Sequence, residues 1–258
     1  MDFQDIVFEL KGFSPTPELD VRIFYEGRSV SEEQIADFIK RRRAGEPVSK
    51  IMGEKGFWKF IFKTSKDVLD PRPDSETLID AVLSYCPNHI QSLKILDIGT
   101  GSGCLLATLL NEYPNAAGVG LDISDNALRI AKENLKNLPA TLIQKDFMQP
   151  DWHKYMDSFD IIISNPPYIP TKDIENLDIA VKVYDPLIAL DGGSDGLNAY
   201  RKLAQTLDNV THKNTKVFFE IGQGQFESVK NIMSRNGWKF LSAHQDLGGI
   251  IRVLVFEN

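Results

Sequence analysis

From about residue 93 to the end of the chain, short apolar runs alternate with segments whose apolar residues recur every three or four positions. Residues 93–98, 118–122, 141–144, 159–163 and 216–221 read as buried strands. Residues 104–113, about 196–207 and about 226–233 read as helices, and Ser124 caps another whose Ala127, Leu128, Ala131 and Leu135 share one face. Strands alternating with helices imply a mostly parallel sheet covered on both faces. Two closing strands, about 238–243 and 250–256, are joined through Asp246-Leu247-Gly248-Gly249. That link permits an antiparallel pair and is too short for a parallel crossover.

Residues 1 to about 50 have a different texture. Ser31-Glu32-Glu33-Gln34 has the form of a capping box, Ile35, Phe38 and Ile39 follow at helical spacing, and Gly45 and Pro47 supply the stop. Arg41-Arg42-Arg43 falls in the last turn, where cations suit the helix dipole. Before residue 31 no clean period emerges: Pro15 and Pro17 interrupt, and an apolar segment spans 21–25. The aromatic, partly alternating run 57–63, the polar stretch 64–67 and Val68-Leu69 predict a hairpin that turns at 64–67. Pro71 and Pro73 stiffen the loop that follows. Asp74 or Ser75 then caps a helix with Leu78, Ile79, Val82 and Leu83 on its apolar face. The expected organisation is a small, mainly helical unit at 1–50, a hairpin linker at 51–72 and an α/β domain at 73–258.

The chain has 258 residues, 42% hydrophobic and 25% charged, which excludes wholesale disorder. Its net charge of −7 is a poor balance for a protein living on nucleic acid, so no stable nucleic-acid binding is expected. Cys86 and Cys104 cannot make a disulfide framework, which points to a reducing compartment. The opening Met1-Asp2-Phe3-Gln4-Asp5 is acidic where a secretory signal would be basic, and no apolar run reaches membrane-spanning length. The expectation is a cytoplasmic monomer away from membranes. His89, His153, His212 and His244 fall outside the motifs below, and no metal-ligand cluster appears.

Asp97-Ile98-Gly99-Thr100-Gly101-Ser102-Gly103 sits where the first strand of the sheet meets its helix, an edge at which open α/β sheets bind ligands. The spacing is G-x-G-x-G, not the dinucleotide G-x-G-x-x-G, and no Lys-Ser/Thr pair follows as a P-loop requires. Asp122 ends the second strand, where a carboxylate can accept from both hydroxyls of a ribose. Taken singly, the glycines serve a tight turn equally well and Asp122 a helix cap. Together they resemble the class I S-adenosylmethionine-dependent methyltransferases. That resemblance implies a donor site of Asp97, Gly99, Thr100, Gly101, Ser102, Gly103, Asp122, Ile123, Asp146, Phe147 and Asn165. Phe147 would stack on the adenine and Asp146 accept from its amino group; plain core packing is the competing role for Phe147.

Asn165-Pro166-Pro167-Tyr168 directly follows the run 159–164. Two prolines stiffen the loop, so the Asn165 side-chain oxygen and the Pro166 carbonyl offer two fixed acceptors to one NH2 group. Tyr168 can pack flat on a planar conjugated group beside them. A carboxamide or exocyclic nitrogen is a poor nucleophile, because its lone pair is delocalised. Accepting both of its N–H bonds returns density to nitrogen and aims the lone pair, which is orientation and preorganised electrostatics more than base chemistry. Asn165, Pro166 and Tyr168 are therefore the candidate catalytic residues, and Asn165, Pro166, Pro167 and Tyr168 the candidate substrate contacts. Similar motifs serve amino groups of adenine or cytosine in DNA, guanine in ribosomal RNA, and glutamine in protein.

Further stretches resemble the HemK-type methyltransferases of peptide chain release factors. They are Arg42-Arg43 with Gly45-Glu46-Pro47, Phe57 and Phe62, Pro71-Arg72-Pro73-Asp74-Ser75-Glu76, Asp185-Pro186-Leu187-Ile188-Ala189-Leu190, Gly192-Gly193, Asp195-Gly196-Leu197, Glu220-Ile221-Gly222 with Gln225, and Asp246-Leu247-Gly248 with Arg252. The resemblance covers roughly residues 41–256. It implies a Rossmann-like, mostly parallel seven-stranded sheet with an antiparallel last strand, behind a small helical substrate-docking domain and a hairpin. It also implies S-adenosylmethionine as cofactor and the glutamine of a Gly-Gly-Gln loop in release factors as substrate. A sister family methylates a glutamine of a ribosomal protein, but its loop resembles Pro-Arg-Ser-Pro, so Pro71-Arg72-Pro73 favours the release-factor branch. Asp70 stands where the family usually has Ile, Asp74-Ser75 where Glu-Thr is common, and Asp185 where Glu is usual. Arg41 to Arg43 either help to dock the release factor or form a solvated helix end.

Overall fold

A computed structural model describes residues 1–258. The first 52 residues form four helices: α1 (Phe3–Leu10), α2 (Pro17–Tyr25), α3 (Glu32–Arg43) and α4 (Val48–Met52). The capping box of α3 is present, with Ser31 Oγ accepting from Gln34 N and Gln34 Oε1 from Ser31 N. The region before it, which showed no clean period, is helical too. Pro17 occupies the first turn of α2, where a missing N–H costs nothing. Ile6, Leu10, Val21, Phe24 and Phe38 close a small core of their own, in which Phe24 stacks on Phe38 at 4.1 Å. The three arginines bind this unit internally. Arg42 is buried against Asp20 at 2.7 Å, Arg41 pairs with Glu46 at 2.6 Å, and Arg43 pairs with Glu9.

The hairpin exists but turns elsewhere than the sequence suggested. Strands β1 (Glu54–Phe57) and β2 (Phe60–Lys63) pair antiparallel around Trp58-Lys59, not around 64–67. Trp58 takes a left-handed φ of 57°, which a bulky residue adopts only when its surroundings insist. Here Glu76 accepts from Trp58 N at 2.7 Å and Glu112 from its indole Nε1 at 2.8 Å. Buried Phe57 and Phe62 anchor the two strands to the main core. A single 3-10 turn, Pro73–Ser75, leads into α5 (Glu76–Tyr85). Neither expected cap acts on this helix: Asp74 pairs with Arg252 at 2.8 Å, and the Ser75 hydroxyl accepts from Asn165.

The remaining elements are β3 (Lys94–Ile98), α6 (Cys104–Glu112), β4 (Ala117–Asp122), α7 (Asp125–Asn134), β5 (Ala140–Gln144), β6 (Phe159–Ser164), α8 (Ile179–Lys182), α9 (Asn198–Thr206), β7 (Thr211–Glu220), α10 (Phe226–Arg235), β8 (Lys239–Gln245) and β9 (Ile251–Glu257). The sheet order is β5-β4-β3-β6-β7-β9-β8, and only β9 runs antiparallel to its neighbours. Alternate residues enter opposite layers: Ile161, Ile163 and Phe218 join the core with α5 and α6, and Ile162 and Phe219 join that with α9 and α10. Burial on both faces explains why these strands read as unbroken apolar runs. Chain order reverses between β3 and β6, which places a crevice at the carboxyl ends of the central strands.

Candidate active site

Two cavities of about 400 and 380 Å³ open at that edge. The first is walled by the loops after β3, β4, β5 and β6, by residues 67–72, and by part of the segment 186–192. Gly99 and Gly101 have left-handed φ values of 74° and 53°, and a Cβ on either would meet no atom within 4 Å. They therefore hold the backbone in a conformation glycine adopts freely and leave the space in front of it open. Asp122 anchors the turn: its Oδ2 accepts from Gly101 N and its Oδ1 from Ser124 N, both at 2.9 Å. Burial pushes its carboxyl above the usual range, against these backbone donors. Phe147 lines the same cavity with Ile123 and Met148, residues that are 42% and 44% exposed. Asp146 accepts from Met148 N at 2.8 Å and from Gln149 Nε2 at 2.9 Å.

Of the donor-site candidates, Gly99, Thr100, Gly101, Ser102, Asp122, Ile123, Asp146, Phe147 and Asn165 line this one cavity. Asp97 and Gly103 lie behind it. Asp97 is buried beneath the turn, where Thr100 Oγ1 donates to its Oδ2 at 2.7 Å and its Oδ1 has no partner. Burial drives its pKa up to about 7. A Cβ on Gly103 would come within 3.1 Å of Ala131 Cβ, so this glycine serves the approach of α6 to α7.

The tetrapeptide after β6 stands between the two cavities. Asn165 lines both, Pro167 the first and Tyr168 the second, while Pro166 is buried and lines neither. Asn165 Nδ2 donates to Ser75 Oγ at 3.3 Å, and no intramolecular bond engages Asn165 Oδ1. The loop is held from behind. Gln225 Nε2 donates to the Tyr168 carbonyl at 2.9 Å, and Ile169 exchanges backbone bonds with Leu190 and Gly192. Burial pushes the Tyr168 hydroxyl up to about 12, so it stays a neutral donor.

The second cavity brings in side chains that the glycine-turn and tetrapeptide motifs leave out: Arg72, Asp74, Glu220 and Arg252. Glu220 ends β7 at 1% exposure with one oxygen unpartnered. Burial drives its pKa up to about 7, against the pull of Ser75, Arg252 and Asn165. The available signal was a lone carboxylate closing the apolar run Val217-Phe218-Phe219. Its neighbours Ser75 and Asn165 come from distant parts of the chain.

The family model for the methyltransferase small domain matches residues 65–183. A release factor glutamine methyltransferase of Caulobacter vibrioides is 41% identical over 233 residues, covering 88% of this chain and 80% of that protein. The enzyme of the same name from Agrobacterium fabrum is 37% identical over 264 residues, covering 100% of this chain and 90% of its own. Among solved structures, the ribosomal protein L11 methylase from Lactobacillus delbrueckii subsp. bulgaricus matches with a TM-score of 0.51 and 17% identity, over 74% of this chain and 82% of that one, a likeness of fold. Sequence identity across nearly the whole chain, together with the layout of this crevice, decides the assignment: the chain belongs to the release factor glutamine methyltransferase family.

Proposed function

We propose that the protein methylates the side-chain amide nitrogen of the glutamine in the Gly-Gly-Gln loop of peptide chain release factors, acting as a single chain in the cytoplasm. The observation that carries this reading is the position of Asn165 on the wall common to both cavities, with its Oδ1 unengaged. A group accepted there from the second cavity faces whatever the first one holds. No helix is long and apolar enough to cross a membrane.

The first cavity fits S-adenosylmethionine. Each Asp122 oxygen keeps a lone pair beyond its backbone bond, as a ribose diol requires. Phe147 with the exposed Ile123 and Met148 provides apolar surface for a purine, and the open faces of Gly99 and Gly101 admit the remainder of the molecule. Bound there, the cofactor supplies a methyl group already activated on a sulfonium. Asn165 accepts from the glutamine amide; the Pro166 carbonyl, outside both cavity linings, would have to turn toward the second cavity to serve as the second acceptor. Tyr168 lies along the second cavity as a surface for the planar amide. Arg72 and Arg252 bring positive charge to the same cavity, which suits the carbonyl oxygens of a peptide loop. The small helical unit offers exposed Phe8 and Phe13 for docking the protein substrate.

Asp122→Ala is expected to weaken S-adenosylmethionine binding by about 10- to 100-fold, the worth of hydrogen bonds to a charged acceptor. Isothermal calorimetry of the variant checks this, and an unchanged affinity would place the ribose elsewhere. The function itself is tested by incubating the purified protein with a bacterial-type release factor and S-adenosylmethionine. Peptide mass spectrometry should find one added methyl on the glutamine of the Gly-Gly-Gln loop. Label entering DNA, ribosomal RNA or a ribosomal protein instead of the release factor would reject the reading.

A further inference from the structure

Lys50 lines neither cavity, yet it touches the walls of the first from behind. It belongs to α4, the last helix of the small unit, and its side chain is 2% exposed. Its ammonium donates to the Ser65 and Val68 carbonyls at 2.7 and 2.6 Å. It lies 2.9 Å from Asp70 Oδ1 and 3.0 Å from Asp185 Oδ1. Both carboxylates are held by others as well: Asp70 accepts from the hydroxyls of Ser49 and Thr64, and Asp185 pairs with Arg72 at 2.6 Å.

Val68 and Asp70 belong to one wall of the first cavity, and Asp185 directly precedes Pro186, Ile188 and Ala189 of another. One ammonium thus binds three separate pieces of chain: the small helical unit, the loop 64–72, and the segment that begins at 185. A compact cation with three rotatable donors suits oxygens converging from several directions, where a planar guanidinium does not. Taking such charges out of water is expensive unless each is met. The arrangement therefore persists only while all three pieces stay in register. The two carboxyls differ: against burial, Lys50, Ser49 and Thr64 hold Asp70 below the usual range, whereas burial keeps Asp185 above it despite Lys50 and Arg72.

We propose that Lys50 is a positioning residue for the methyl donor, setting the spacing of the two cavity walls through Asp70 and Asp185 and coupling the small helical unit to the donor site. The proposal rests on the reading that this cavity takes S-adenosylmethionine.

The test uses the full chain with Lys50→Met, which keeps the length of the side chain and removes the charge, and Asp185→Asn, which lies outside the cavity lining and weakens the links to Lys50 and Arg72. S-adenosylmethionine affinity is measured by calorimetry, folding by circular dichroism and thermal midpoint, and kcat on a release factor at saturating donor. Lys50→Met should bind the donor about tenfold more weakly, and Asp185→Asn about threefold, as expected when misplaced walls rather than lost contacts are responsible. At saturating donor kcat should stay within about threefold of wild type, a split that a general loss of structure does not produce. Folded variants with wild-type donor affinity would overturn the proposal. If Lys50→Met does not fold, Asp185→Asn decides alone on the same criterion. A wild-type protein that fails to bind S-adenosylmethionine would instead fault the cofactor reading on which the proposal stands.

Discussion

Replacing Asn165 by alanine is expected to lower kcat by about 10² to 10³ while leaving S-adenosylmethionine affinity within a few-fold of wild type. The magnitude follows from what the residue supplies. An amide nitrogen has little nucleophilicity until its N–H bonds are engaged, and a preorganised acceptor in a water-poor cavity is worth more than the same group in water. Asn165 contributes its Oδ1 on a loop stiffened by Pro166 and Pro167 and pinned by Gln225. Alanine removes the oxygen and leaves the loop. The cavity walls and the stiff loop still place the amide, so activity falls without vanishing. On the proposed donor site, affinity rests mainly on the glycine turn, Asp122 and the surface around Phe147, with Asn165 at the edge of the same cavity. Single-turnover methylation of a release factor and donor calorimetry, run side by side, check both halves. Parallel loss of kcat and donor affinity would mean that Asn165 holds the cofactor more than the substrate.

Glu220→Gln is expected to change stability in a pH-dependent way. The ordinary value for this carboxyl is 4.5, and burial drives it to about 7 in the folded protein. Between those two values the folded state keeps a proton on Glu220 that the unfolded chain has already released. The unfolded state then binds fewer protons, so stability falls as pH rises through this window. Glutamine removes the titration and keeps the shape. The stability of the variant relative to wild type should therefore improve by about 2 to 3 kcal/mol between pH 5 and pH 8. Asp97, raised to a similar value, titrates in both proteins and cancels in the comparison. Urea midpoints at four pH values measure the gap. A gap that does not change with pH would mean that Glu220 titrates like an exposed glutamate. Because Glu220 borders the second cavity beside Asn165, the same titration should appear as a pH dependence of KM for the release factor that the glutamine variant lacks.

Much of this architecture is written in local pattern. The runs at 93–98, 159–163 and 216–221 are apolar on both sides because the strands they form are covered by helices on both faces. Asp97 to Gly103 shows its turn because glycine is the residue that takes positive φ without strain, and the chain has it at 99, 101 and 103. Ser31 and Ser124 show their helix starts because a cap is made within four residues. Asn165 to Tyr168 shows a rigid corner because two prolines leave the backbone few alternatives. The first thirty residues were illegible for an equally local reason: Pro17 reads as a breaker until its place in the first turn is known.

Other features are decided by partners far away in the chain, and no window of sequence contains both members. The hairpin turns at Trp58 because Glu76 and Glu112 hold that residue in a conformation its own propensity disfavours. Ser75 serves Asn165, 90 positions away, instead of capping the helix it precedes. Glu220, an end-of-strand carboxylate in the sequence, becomes a buried acid beside the Asn165 corner only once β7 has paired with β6 and β9. Lys50 has nothing local to distinguish it from any lysine in a short helix; two carboxylates and two carbonyls meet it only in three dimensions. By itself the sequence determined most of the strand and helix order from residue 93 onward, the glycine turn and the proline-stiffened corner, since each depends on backbone preferences acting over a few residues. Tertiary structure alone decided which side chains share a cavity wall and which charges are buried together, because those depend on loop closures that bring distant segments within hydrogen-bond reach.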